Sequence, residues 1–235
     1  MSISSELLTL NNTKTAIRTA INQKGGSVGA NDTFASYATA IDNLPSGGGS
    51  NADLIDLIEG DITTLNIPSG TTGIKAGAFQ NCTSLTSISI PNSVTSIGNN
   101  AFTNCSALQS INIPSSVTTL GSQCFSVCNG LTSITIPDSV TTIPSYMVNY
   151  CNNLTEIIVG NNVSTIQSGA FSTSNDNFVL NAIVINTTSV PNLQSTDAFN
   201  YTHNCPIYVP AESLNAYKTG YRWSDLASRI QAIPE

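Results

Sequence analysis

Pro68, Pro91, Pro114 and Pro137 stand 23 residues apart, and the residues between them keep the same step. Phe79, Phe102 and Phe125 keep it, as do Cys82, Cys105, Cys128 and Cys151. So do Leu85, Leu108, Leu131 and Leu154, and Ile88, Ile111, Ile134 and Ile157. A fixed period of this size calls for a solenoid, because one short coil can bury its apolar side only against its neighbours. The same architecture bounds function, since a solenoid presents a surface for binding.

One unit reads Leu85-Thr-Ser-Ile-Ser-Ile-Pro91, a turn to Val94-Thr-Ser-Ile97-Gly98, then Ala101-Phe-Thr-Asn-Cys105. Leu85, Ile88 and Ile90 share one side of a short strand, and Ser89 points the other way. Proline at its end lacks a donor and stops the ladder. The Ala-Phe-x-Asn-Cys phrase reads as a short helical or 3-10 turn that returns the chain. The strand phrase drifts at Leu65–Pro68, Ile157–Gly160, Ile183–Ile185 and Ile207–Pro210, which gives about seven coils. An insertion of three residues within Ser172–Phe178 puts Asn177 in the register of the cysteines.

The chain divides into residues 1–44, a helical module; 45–51, a Gly/Ser linker; and 52–235, the solenoid with caps at 52–60 and 205–235. In the first part Ile3, Leu7, Leu10, Lys14, Ile17 and Ile21 follow the 4-3-4-3 spacing of a coiled-coil seam. The same residues also suit an intramolecular pair with a second helix carrying Phe34, Tyr37 and Ile41. Ala211–Thr219 reads as a helix stopped by Gly220, near the single tryptophan, Trp223.

The phrase NCTSLTSISIPNSVTSIGNNAFTNC resembles the leucine-rich repeats of the BspA type, and the match extends over residues 61–185. Such repeats occur in surface proteins of gut and oral bacteria, in some protozoa and in tailed phages. The resemblance implies a right-handed coil with a parallel sheet along one side. It also implies that Cys or Asn in the ladder position satisfies backbone groups inside the turn. The segment Ile207–Ile233 is similar to the terminal segment of many proteins of this type, so capping is its expected role.

Composition excludes several functions. Only 9% of residues are charged, the net charge is -7, and no Lys or Arg lies between Lys75 and Lys218. A phosphate backbone needs a basic stripe, so nucleic acid is not an expected partner. No segment approaches the roughly 20 apolar residues of a membrane span. Met1-Ser-Ile-Ser-Ser-Glu6 has neither a basic nor an apolar signal region, so ordinary export is not expected.

No enzyme motif emerges. The ladder cysteines would stand in line about 4.8 Å apart, too dispersed for tetrahedral zinc and poorly set for disulfides. They read as small buried hydrophobes with weak S–H donors. Asp197 and His203 lie close in sequence to Cys205, but proximity is not the geometry of a relay. Neither catalysis nor a cofactor is expected.

Binding is expected where the repeat breaks. The outward row of the strands reads Asn66, Ser89, Asn112, Thr135, then Ile158, Val184 and Tyr208. The last three form an apolar patch that either lies under the C-terminal segment or contacts a receptor or subunit. Tyr146 and Tyr150 interrupt the conventional turn phrase, either as recognition residues or as packing.

The segment Leu7–Pro45 is similar to anchoring modules in structural proteins of phages that infect gut bacteria. That resemblance implies a virion appendage, such as a head or tail fibre, made in the host cytoplasm. Its N-terminal module would join other virion proteins, with a homotrimer as the fibre-like oligomer. The solenoid would hold a bacterial surface glycan or protein. The alternative is an adhesin or interaction module on a bacterial cell surface.

Overall fold

The computed structural model describes residues 63–67, 69–172, 180–202 and 204–234. The expected helical module, its seam Ile3, Leu7, Leu10, Ile17 and Ile21, the linker and the N-terminal cap lie outside the described residues. So do Pro68, the inserted residues 173–179 and His203.

Each coil contributes two strands. They are β1 (Thr64–Asn66) and β2 (Gly73–Ile74), β3 (Ser87–Ser89) and β4 (Ser96–Ile97), and β5 (Ser110–Ile111) and β6 (Thr119–Leu120). Next come β7 (Ser133–Ile136) and β8 (Thr142–Ile143), β9 (Glu156–Val159) and β10 (Thr165–Ile166), and β11 (Ala182–Ile185) and β12 (Asn192–Leu193). The last coil has β13 (Ile207–Val209), the short helix α1 (Leu214–Thr219) and β14 (Ile230–Ala232). All pairings are parallel, with Leu65, Ile88 and Ile111 in register in one row and Ile74, Ile97 and Leu120 in the other.

Proline sets the corner between the two rows. The carbonyls of Pro91, Pro114 and Pro137 each accept from the valine three residues on, at 3.0, 3.0 and 3.1 Å. The resulting turn aims Val94, Val117 and Val140 inward, where they are fully buried. The returning phrase forms tight turns, and the 3-10 helix expected there occurs at Thr196–Phe199.

One expectation needs correction: strands lie along two sides of the coil. The longer row has eight strands over seven coils, because the tail adds β14. The rows also divide after the third coil, into β1-β3-β5 and β7-β9-β11-β13-β14 on one side and β2-β4-β6 and β8-β10-β12 on the other. Pro144 accounts for the second break. Gly98, Gly121 and Gln167 donate to Ile74, Ile97 and Ile143 in the preceding coils at 2.7, 2.8 and 3.0 Å. Pro144 holds the same place and has no N–H to give. The return turns bridge the seam instead, with Gln123, Phe125 and Val127 donating to Ser145, Met147 and Asn149.

A column of rings runs through the core. Phe79 stacks on Phe102 and Phe102 on Phe125, at centroid distances of 5.3 and 5.6 Å. Val148 takes the next place, and the column resumes with Phe171, Phe199 and Trp223 at 5.4 and 5.6 Å. Met147 replaces the small Ala101 or Cys124 of its neighbours, so a small–large pair becomes a large–small pair. Both residues are fully buried, and conserved total volume keeps the core filled.

The cysteines line up as the period requires. Cys105, Cys128 and Cys151 donate S–H to the carbonyls of Phe79, Phe102 and Phe125 at 3.1, 3.1 and 3.0 Å. All six cysteines are buried and outside any disulfide. Each of these three thiols thus serves a backbone acceptor of the coil before it.

At the C-terminal end the expected helix 211–219 divides into a 3-10 turn, Ala211–Ser213, and α1. Gly220 ends it in an extended conformation (φ -65°), and the left-handed residue is Arg222 (φ 64°). Tyr217 and Trp223 meet edge to face at 5.0 Å and reach back to the carbonyls of Thr187 and Pro191. Strand β14 then pairs with β13. The C-terminal segment is therefore one atypical coil in which a helix replaces the second strand.

Candidate binding site

Every return turn contains backbone in the left-handed region. One column of such residues is Gly77, Asn100, Gln123, Tyr146 and Gly169, with φ between 55° and 67°. A second is Asn81, Asn104, Val127, Tyr150 and Tyr201. Glycine and asparagine tolerate this conformation most readily; other L-residues pay about 1–2 kcal/mol. Val127 occupies it with a half-buried side chain, but the three tyrosines are 41, 48 and 58% exposed. Apart from Tyr221, they are the exposed large hydrophobics among the described residues.

These three rings border one open cleft of about 280 Å³. Tyr150 and Tyr201 occupy the same place in their coils, two residues after Val148 and Phe199, with one coil between them. At ~4.8 Å per coil their backbones stand roughly 10 Å apart. Tyr146 lies across the next coil, where Gly169 makes room: a Cβ there would sit 2.3 Å from Tyr146 Cε1.

The polar part of the cleft comes from Asp197, Asn149, Ser172 and Asn200. Asp197 follows Ser195, the N-cap of the 3-10 turn, whose Oγ accepts from the Asp197 N–H at 3.4 Å. Its Oδ2 accepts from Ser168 Oγ at 2.5 Å, and Oδ1 from the Gly169 N–H at 3.2 Å. Burial alone would raise its pKa. The hydrogen bonds involving Ser168, Ser195 and Gly169, helped by the charge of Arg222, outweigh this and hold the carboxyl below its ordinary range. Ser172 Oγ donates to Asn149 Oδ1 at 3.4 Å. Among the described residues the lining thus combines exposed aromatic faces with one ionised carboxylate and two amides.

Of the residues expected to bind, the structure brings Tyr146 and Tyr150 to the cleft. Their neighbours Met147 and Val148 are fully buried, and the Tyr146 ring also packs over Gly169. Ile158, Val184 and Tyr208 lie in register on β9, β11 and β13, each half-buried, on the strand side of the coil. The tail extends this row, pairing Gln231 with Tyr208. The two groups do not form one site. Tyr201 and Asp197 were missed as binding residues because the period stretches by five here, the three-residue insertion plus two more residues before Phe199: Phe171 and Phe199 pack together although 28 residues separate them. Realigning on the Ala-Phe phrase would have placed Tyr201 in the column of Tyr150, two coils on.

Chemistry at the thiols is disfavoured. Burial pushes the Cys124 and Cys151 thiols up, and Cys205 to about 11. Among the described residues no group of His, Cys, Asp or Glu could hold a metal, and no helix is long and apolar enough to cross a membrane.

A family model described as the BspA type leucine rich repeat region matches residues 59–178 in 6 copies. Among solved structures, a leucine-rich repeat protein from Eubacterium ventriosum is 26% identical with a TM-score of 0.53. That match covers 65% of this chain and 42% of the other. The pneumococcal vaccine antigen PcpA is 21% identical with a TM-score of 0.61, covering 73% and 40%. A leucine-rich repeat protein of T. pallidum is 29% identical with a TM-score of 0.49, covering 52% and 58%. The chain thus spans between 40% and 58% of the length of these three proteins. No curated protein matches it.

Proposed function

Since the chain belongs to the BspA-type leucine-rich repeat family, we propose that it is a non-enzymatic adhesive module that binds its target at the tyrosine-lined cleft. The observation that carries this reading is the convergence of Tyr146, Tyr150 and Tyr201 on one cleft, each exposed and each in left-handed backbone. Unfavourable backbone at exposed aromatic residues is what a binding site retains and a bare scaffold has no use for. The regular coils before it act as a spacer.

The place of action we propose is a virion appendage, such as a head or tail fibre, anchored through residues 1–44 and homotrimeric. Support comes from the similarity of Leu7–Pro45 to phage anchoring modules and from the coiled-coil spacing of Ile3, Leu7, Leu10, Ile17 and Ile21. The second reading, a bacterial surface adhesin or interaction module, draws on the occurrence of BspA-type repeats in such proteins.

Binding of the fluorescently labelled full chain to intact gut bacteria tests the adhesive reading. Saturable binding that is lost in Tyr150→Asn/Tyr201→Asn is expected. Equal binding by that variant would remove the cleft from the account. Mass spectrometry of purified virions separates the two places of action, and absence of the chain from them would leave the bacterial surface.

A further inference from the structure

We propose that the cleft takes a neutral pyranose unit of a glycan chain, with Tyr150 and Tyr201 as stacking faces and Asp197 as the acceptor for ring hydroxyls. This rests on the cleft being the binding site, and goes on to name what it holds.

The charge pattern decides the class. Among the described residues, the lining of the cleft has a carboxylate held ionised and no basic side chain, so phosphate, sulfate or an acidic sugar would be repelled. A quaternary ammonium would favour an aromatic cage around an unsatisfied carboxylate. Here the charge of Asp197 is already met by Ser168, Gly169 and the field of Arg222. What remains is hydrogen-bond capacity. An ionised carboxylate accepts at about four lone-pair positions, and Ser168 and Gly169 use one on each oxygen. The open positions suit hydroxyl donors. The amides of Asn149 and Asn200 add donors and acceptors beside them.

Size and shape agree. The volume lies just below the roughly 300–1,000 Å³ of drug-sized pockets. An open cleft admits one ring of a chain whose remaining units extend along the surface. The tyrosine rings offer apolar faces to the C–H side of a sugar, and few groups on such a surface lose less rotamer freedom.

The test uses substitutions that the scaffold itself supplies. Asn81 and Asn104 hold the place of Tyr150 and Tyr201 in other coils, so Tyr150→Asn and Tyr201→Asn preserve the fold and relieve the backbone. Binding is measured by saturation-transfer NMR and calorimetry on the full chain, with neutral oligomers of glucose and of N-acetylglucosamine, an oligogalacturonate and choline as probes. The expected result is saturable binding of a neutral oligomer, with transfer to its ring protons. Each Tyr→Asn change and Asp197→Asn should weaken it about tenfold or more, while Tm stays equal or rises in the tyrosine variants. Binding of choline or the acidic oligomer alone would overturn the inference. So would failure of every neutral oligomer to bind, or unchanged affinity in the variants. If cell binding is lost in the tyrosine variants yet no neutral oligomer competes for it, the adhesive reading stands and the pyranose falls.

Discussion

The ring of Tyr146 lies where the side chain of residue 169 would begin: a Cβ on Gly169 would meet its Cε1 at 2.3 Å and its Cδ1 at 2.4 Å. Two successive positions of one column are thereby coupled, because the tyrosine needs the glycine of the next coil.

Gly169→Ala should therefore destabilise through two separable effects. The left-handed backbone (φ 64°) alone costs alanine about 1–2 kcal/mol, and displacement of the Tyr146 ring adds to it. Urea unfolding of Gly169→Ala, alone and with Tyr146→Ala, separates them. The double variant should recover the ring's share and retain the backbone's.

Met147 and Val148 should behave as a compensated pair. Val148→Phe alone overpacks the core and should cost about 1–3 kcal/mol. Met147→Ala alone leaves a cavity and should cost about 2–5 kcal/mol. Together they recreate the Ala-Phe pair of the second coil, so the double variant should lie within about 1.5 kcal/mol of the original. A double-mutant cycle by denaturant unfolding reads this coupling directly.

Trp223 closes the ring column and donates to the Pro191 carbonyl at 2.8 Å. Trp223→Ala should cost about 3–5 kcal/mol. Loss should spread from the C-terminal end, because solenoid stability is a sum over neighbouring coils. Hydrogen exchange should show protection falling first at β13 and β14. As the single tryptophan, it also reports unfolding of this end by a red shift in emission.

Alkali should weaken the fold before acid does. Burial above all raises the pKa values of the Cys124 and Cys151 thiols, a hydrogen bond with Cys82 and then burial raise that of Cys105, and burial alone raises Tyr217. At a pH above about 9 the unfolded chain releases thiol protons that the folded chain retains. The unfolded state then binds fewer protons, and stability falls with rising pH. It is fully present below the unfolded value and is lost as pH climbs toward the folded ones. Urea midpoints from pH 7 to 10.5 should decline above about 9, and Cys124→Ala should reduce the slope. In the native state the ladder thiols should resist alkylation at pH 8 and react on unfolding.

How much of this was legible in the residues varies along the chain. Where Phe79, Phe102 and Phe125 keep an unbroken step, the strand phrase, the corner proline and the buried thiols could all be placed, because identical units must stack identically. Past Phe171 the step changes, and Tyr201 could not be assigned to the column of Tyr150. Pro144 was visible, but its effect was not, since a missing N–H matters only once the facing carbonyl is known. A helix in the tail was legible; that Ile230–Ala232 would join the strand row was not, because a lone apolar triplet does not reveal its partner.

The 23-residue period by itself determined a solenoid and the inward residues of each coil. Only the tertiary structure decided which irregular residues meet. Tyr146, Tyr150, Asp197 and Tyr201 span 56 positions of sequence, and the stacking of three coils brings them to one cleft. Periodicity reports a residue's place within its coil; its neighbours across coils depend on where insertions fall and on how the backbone absorbs them.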